Sequence, residues 1–426
     1  MISNSTLPHS YSRDLARPRY LDLLRRYRDT ESVKVLSGVR RCGKSTLLRL
    51  WKQELLDSGV PESHIYLRRF DDFSLPLDLN AQWLQADLQQ AFDAADPNKP
   101  FYVLLDEVQD VTGWEKIVRG LHTSPGVDVY LTGSNAYVLS GDLATRLSGR
   151  YVILEIYPLS FQEYLDFVTT SQETARSEEA LFADYLRFGG MPGLFQLPGF
   201  DTETVARELT TIFDSVILRD VAARLQVREL NVLEKLVRYV FSTSGSLFST
   251  RSIVNTLKSS GYRVSGVTLD SYLDALSRAL LIYPVEQMGL RGKEILRPLR
   301  KFYPVDTGLR NLTTGFAPTD VGYQLENLVY LELRRRGFTV SVGALPKGEV
   351  DFVAEKNGER IYFQVADSVS NEKVMTRELT PLQAIEDAFP KLLLTTDYLH
   401  TGIRLDGIRV LHVIDWLTDR QGTASL

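Results

Sequence analysis

Apolar residues come first in short runs along this chain and only later in helical stripes. Val33–Leu36, His64–Phe70, Phe101–Leu105, Val127–Leu131 and Tyr151–Tyr157 each read as a strand. Runs with little polar alternation are what a parallel sheet covered on both faces demands. Between them apolar positions recur at helical spacing, as over Thr46–Leu55. Five strands alternating with helices predict an α/β domain over residues 1–157, with helices on both faces of the sheet. Ahead of the first strand, Arg13–Arg28 predicts a helix. Pro18 stands near its start, and Tyr20, Leu23, Leu24 and Tyr27 fall at helical spacing.

From Pro158 the pattern changes to mainly helical. Ser160 and Glu163 form the spacing of a capping box, and Phe188–Gly193 reads as a helix stop and turn. Residues 228–300 predict a winged helix-turn-helix. Its helices are Leu230–Phe241, Thr250–Ser259 and Thr268–Leu280, and its wing strands are Ile282–Gln287 and Ile295–Tyr303. This gives a helical and winged-helix middle over 158–304. Beyond it, over 305–426, a helix at 322–333 precedes strands at 338–342, 348–354 and 361–366, with an Asn357-Gly358 turn between the last two. That order is the outline of a Mg²⁺-dependent nuclease core. In such cores a helix acid, an Asp and an acid-x-Lys pair gather metal and water. Here Glu326 and Asp351 stand in place, but Gln364 occupies the acid position and Ala366 the lysine position. A nuclease-like domain without nuclease activity is the expectation.

The first strand runs into Gly38-Val39-Arg40-Arg41-Cys42-Gly43-Lys44-Ser45-Thr46. Gly-x-x-x-x-Gly-Lys-Ser between a strand and a helix is the phosphate-binding loop signature. The glycines let the backbone bend round an anion. The following helix start offers N–H groups and a positive dipole end. Lys44 is expected on the β and γ phosphates of ATP, and the Ser45 hydroxyl on Mg²⁺. The third strand ends in Asp106-Glu107, at the edge where parallel sheets bind ligands. Asp106 is then the metal-associated acid and Glu107 the base that polarises water. The fourth strand ends in Ser134-Asn135, candidates for a polar contact to the γ-phosphate. Arg146 and Arg150 are candidates for an arginine finger, in this subunit or a neighbour's. The arginines of the first helix are read as a solvated face, with a place near the base or ribose as the alternative.

Composition narrows the picture further. There are 49 Lys and Arg against 54 Asp and Glu, so the whole chain is not a simple polyanion binder. A local positive excess does occur in the wing, at Arg291, Lys293, Arg297, Arg300 and Lys301. It leaves open non-specific DNA contact or a protein partner. Asp270 and Asp274 on the third helix count against base reading. No apolar run reaches the length of a membrane span. The N-terminal residues lack the blocks of a signal peptide. With a single cysteine, Cys42, no intrachain disulfide can form. A cytoplasmic protein is expected, with Cys42 a small tolerated loop residue.

From Arg17 to Val413 the chain resembles a family of prokaryotic P-loop ATPases of the AAA superfamily. The resemblance rests on the loop Gly38–Thr46, Leu105–Gln109, Leu131–Ser134, Ser148-Gly149-Arg150, Pro158–Phe161, Gly189–Pro192, Lys301–Leu309 and Glu349–Phe352. It implies ATP binding at Gly38–Thr46, a Walker B pair at Asp106 and Glu107, a winged-helix middle, and a C-terminal domain of restriction-endonuclease-like fold. An ATP-hydrolysing switch or motor on a macromolecule is the leading expectation. The alternatives are a module or scaffold that binds ATP without turnover, an ATP-gated nuclease and a small-molecule kinase. Glu107 counts against the pure binder and Ala366 against the nuclease. The two further domains exceed what a small substrate requires.

Overall fold

The computed structural model describes residues 14–420, apart from 134–148, 172–175, 198, 223–224, 226–229, 263, 291–298, 317–320 and 403. The chain forms two compact units, residues 1–156 and 157–426.

The first unit holds β1 (Val33–Ser37), β2 (Ile65–Arg69), β3 (Phe101–Asp106), β4 (Val127–Gly133) and β5 (Tyr151–Glu155). All five pair in parallel, in the order β2-β3-β4-β1-β5. Every residue of β1 and β3 is buried, and β3 reads as an unbroken apolar run up to Asp106. The helices are α1 (Pro18–Tyr27), α2 (Lys44–Asp57), α3 (Ala81–Asp93) and α4 (Trp114–His122). Pro18 opens α1, where a missing N–H costs nothing. Asn80 caps α3 through the amide of Trp83. One face of the sheet packs with α3 and α4 into a core that includes Val35, Val103, Leu84, Leu88, Val118 and Leu131. The strand order puts β4 between the loop strand β1 and the acid strand β3. That order decides what the site contains.

The second unit begins with α5 (Phe161–Ser171), α6 (Glu178–Phe188), α7 (Thr202–Ser215), α8 (Leu230–Ser242), α9 (Thr250–Ser259) and α10 (Gly266–Arg278). Ser160 and Glu163 make the reciprocal bonds of the expected capping box, at 3.2 and 2.9 Å. Next come β6 (Ile282–Gly289), β7 (Arg300–Pro304), α11 (Thr307–Thr314), α12 (Val321–Arg335), β8 (Thr339–Ala344), β9 (Glu349–Lys356), β10 (Glu359–Ala366), α13 (Glu372–Gln383), β11 (Lys391–Thr395), β12 (Arg404–Leu405), β13 (Ile408–His412) and α14 (Val413–Leu417). The strands form one sheet in the order β12-β13-β11-β10-β9-β8-β6-β7. β6 and β7 form an antiparallel pair, Ile282 opposite Pro304, while residues 295–298 of the expected second wing strand lie outside the described residues. Yet β6 also pairs in parallel with β8, Gln287 against Val342. The sheet therefore carries strands from both sides of residue 304, where the sequence reading set a boundary.

Candidate functional site

The loop after β1 is shaped by its glycines. A Cβ on Gly38 would lie 2.2 Å from the Ile156 carbonyl oxygen and 2.7 Å from Cys42 Sγ. Gly43 sits at φ +102° and opens α2 with no capping side chain, leaving first-turn amides of the kind that receive phosphate. Arg41 also takes a left-handed backbone, φ +63°. Lys44 is buried, its ammonium donating to the carbonyls of Gly38 at 2.8 Å and Val39 at 3.1 Å. The Thr46 hydroxyl accepts from Arg49. Cys42 is buried, and burial pushes its thiol up from the ordinary range. Its carbonyl accepts from Arg17 Nη1 at 3.1 Å. Arg17 is itself buried, so the start of α1 is tied to the loop. The solvated-face reading suits Arg25, which pairs with Glu54 in the open, but not Arg17.

The acids at the end of β3 meet this loop. Ser45 Oγ donates to Asp106 Oδ1 at 3.1 Å, and Thr132 Oγ1 donates to the same oxygen at 2.6 Å. The Glu107 amide donates to Thr132 Oγ1 at 2.8 Å. Three strand ends are thus joined by hydroxyls: β1 with its loop, β3, and β4 between them. Burial pushes the Asp106 carboxyl up from its ordinary value, against the pull of the two hydroxyls. A cavity of about 180 Å³ opens beside it, lined among others by Ser45, Arg49, Arg69, Asp72 and Asp106. Sequence reasoning missed Thr132. The signal was there: a polar residue two positions before Ser134, still inside an apolar strand and fully buried. Ser134, Asn135 and Arg146 lie outside the described residues.

Arg150 falls elsewhere. β5 runs parallel to β1 with Val33 opposite Tyr151, and the Arg150 carbonyl accepts from the Val33 amide. Arg150 therefore lies where β1 and β5 begin, whereas the loop lies where β1 ends. It borders a groove of about 520 Å³ with Asp29, Glu31, His122 and Asp128. Parallel pairing keeps it away from Lys44 and Asp106 within one chain.

In the second unit the sequence-predicted acids cluster around a lysine. Lys301 is buried and pairs with Glu326 at 3.0 Å and Glu349 at 2.8 Å. The Tyr303 hydroxyl donates to Glu326 at 2.5 Å. Asp351 accepts from the Val365 amide at 2.9 Å, and Gln364 Nε2 donates to Glu378 at 3.1 Å. Burial pushes the carboxyls of both Glu326 and Asp351 up. Lys301 was counted with the positive wing, but the β7 pleat turns it inward. Arg300 is paired with Glu286 at 3.1 Å. Arg291, Lys293 and Arg297 lie outside the described residues. Among the described residues no group of three or more His, Cys, Asp or Glu is arranged to hold a metal. No helix among them is long and apolar enough to cross a membrane.

Comparison with known proteins agrees with the first unit's geometry. The AAA domain family matches residues 30–165, and a domain of unknown function, DUF8612, matches residues 179–320. An uncharacterized protein of Haemophilus influenzae is 38% identical over 403 residues, 95% of this chain and 98% of its own. An uncharacterized protein of Methanocaldococcus jannaschii is 32% identical over 72% of this chain and 67% of its own. Among solved structures, the Walker-type ATPase PABY2304 of Pyrococcus abyssi shares the fold. The TM-score is 0.50 at 15% identity, over 70% of this chain and 95% of that one. The chain belongs to the family of the Haemophilus influenzae protein, and its residues 30–165 match the AAA domain family.

Proposed function

We propose that this protein binds ATP with Mg²⁺ on Gly38–Thr46, hydrolyses it, and uses the cycle as a switch or motor on a macromolecule. The observation that carries this reading is the run from the Ser45 hydroxyl through Asp106 and Thr132 to the Glu107 amide. The residues fit the ligands. Amides at the start of α2 suit phosphate. Ser45 Oγ and Asp106 Oδ1 are two hard oxygens 3.1 Å apart, and Mg²⁺ takes few protein ligands beside phosphate oxygens and water. Held there, it neutralises charge on the phosphates. Lys44 turns from the Gly38 and Val39 carbonyls to the β and γ phosphates. Thr132 orients Asp106 and fixes the backbone of Glu107. Glu107 takes a proton from water as the water oxygen bonds to the γ-phosphorus and the β–γ bridging oxygen leaves with ADP.

Arg150 acts as an arginine finger only toward a neighbouring subunit, since its own loop lies at the other end of the strands. This reading therefore includes a homo-oligomer. DNA as the macromolecule rests on the sequence charge at Arg291, Lys293 and Arg297, which lie outside the described residues. With Lys301 buried and Arg300 paired, a protein partner fits the remaining charge better. The C-terminal cluster is read as non-cleaving, because Lys301 is committed to Glu326 and Glu349.

Titration calorimetry with ATP and Mg²⁺ tests the binding half. Lys44→Ala should lose measurable affinity with an unchanged circular dichroism spectrum; affinity equal to wild type would sink the reading. Glu107→Gln should retain ATP and release phosphate about 10²-fold more slowly. Equal rates would make the protein a binder without turnover through this acid.

A further inference from the structure

Glu107 is held in an uncommon way. Its backbone lies at φ +55°, ψ +46°, a left-handed conformation that a long side chain adopts at a steric cost. The turn that follows, Val108–Asp110, closes through its own backbone, Asp110 N–H to the Glu107 carbonyl and Val111 N–H to that of Val108. Gln109 is in the middle of this turn. Its amide nitrogen donates to Glu107 Oε2 in a short hydrogen bond. Its amide oxygen is buried and has no hydrogen-bond partner among the described residues. An unsatisfied buried carbonyl is destabilising, and an apolar side chain of the same length would remove the penalty. The turn closes through its own backbone bonds, without this side chain. Backbone and side-chain penalties that coincide beside a reacting group point to function.

We infer that Gln109 is a positioning residue for the catalytic base, holding one carboxylate oxygen of Glu107 so that the other faces the attacking water. The inference rests on the reading of Glu107 as the base of ATP hydrolysis. One feature fixes the amide's orientation: turning it over would set its carbonyl oxygen against the Glu107 carboxyl oxygen. The acid is thus anchored at both ends, its N–H on Thr132 and its Oε2 on Gln109. Gln109 touches neither the loop nor Asp106 in any bond of this network, so it should act on turnover and not on nucleotide affinity.

The experiment is steady-state phosphate release by the full-length chain over a range of ATP concentrations with Mg²⁺. Gln109→Met keeps the length and removes both polar atoms. It should keep or raise the melting temperature, leave KM for ATP within about twofold, and lower kcat about tenfold or more, the scale of a misaligned base. Gln109→Glu sets a second carboxylate against Glu107 and should lower kcat further. Should the Met variant fail to fold, the Glu variant carries the same test. In the double variant Glu107→Gln, Gln109→Met, the rate should equal that of Glu107→Gln alone, because the two residues act as one unit. A folded Gln109→Met with kcat at or above wild type overturns the inference. So does a further loss in the double variant, which would mark Gln109 as acting through something else. Wild-type turnover in Glu107→Gln would instead overturn the underlying reading of the base, and the two failures are thereby told apart.

Discussion

Two acid-bearing strand systems sit in this chain, and they are built on opposite plans. In the first unit Asp106 is bordered by the hydroxyls of Ser45 and Thr132 and opens on a cavity. The nearby ammonium of Lys44 is turned to its own loop carbonyls. In the second unit Glu326 and Glu349 close on the ammonium of Lys301, with Tyr303 completing the shell of Glu326. Both arrangements bury carboxylates, and in both burial raises a carboxyl's proton affinity. The difference is the source of positive charge. Hydroxyls leave an acid able to take a cation from solution, whereas a buried lysine already supplies one. An Asp at a strand end is therefore no site in itself; what faces it decides.

Removing Lys301 should break that contrast most strongly. Lys301→Met leaves buried carboxylates without their partner, which costs about 3–5 kcal/mol in comparable pairs. Denaturant unfolding of the purified protein reads it, and a loss under about 1 kcal/mol would mean that the acids are neutral without the lysine. The wild type should not cleave plasmid or linear DNA with Mg²⁺ or Mn²⁺, with or without ATP. Cleavage that disappears in Asp351→Ala would overturn the non-cleaving reading.

The matching change in the first unit should act on turnover and spare stability. Ser45→Ala removes one hydroxyl from Asp106 and leaves Thr132 in place. Phosphate release should fall on the order of 10²-fold, the scale of one lost electrostatic contact in a site. The unfolding free energy should shift by less than about 1 kcal/mol, as for one partly exposed hydrogen bond. A large stability loss with little change in rate would place Ser45 with Lys301, as structure.

Much of the first unit was legible because its central strands are buried along most of their length and so stand out as mainly apolar runs, β1 and β3 completely. The loop was legible because its chemistry fixes residue types at fixed spacing. Strand order was not, and the site depends on it. Thr132 matters only because β4 lies between β1 and β3. Arg17 matters only because α1 returns to the loop 25 residues on. In the second unit the elements were legible but not their pairing. β6 joins β8 across an intervening helical segment, and the β7 pleat decides that Lys301 points in while its neighbour Arg300 points out. Two motifs behind the family resemblance, Gly189-Gly190 and Asp306-Thr307-Gly308, prove to be one packing contact. The Gly190 amide donates to Asp306 Oδ2 at 2.7 Å, and a Cβ on Gly308 would lie 2.0 Å from the Phe188 carbonyl oxygen.

That contact supplies the smallest and most specific test of the two plans. Asp306 is a buried acid held by the amides of Gly190, Leu309 and Gly308, with the Arg335 guanidinium also favouring its charged form. Burial pushes its carboxyl from an ordinary 3.8 up to about 6, against the pull of those amides. The folded protein thus holds a proton there more tightly than the unfolded chain. Between the two values the unfolded state carries fewer protons, so stability falls as pH rises. Below the unfolded value both states are protonated and the full contribution is present. Over pH 5 to 7 the loss should be about 1 kcal/mol. Asp306→Asn keeps the shape and one accepting oxygen but cannot titrate. Unfolding free energies of both proteins at pH 5, 6 and 7 isolate the effect, because every other group titrates in both. The wild type should lose ground to the variant as pH rises. A difference that stays flat over this window would mean that the surrounding amides and the Arg335 guanidinium together hold Asp306 ionised throughout.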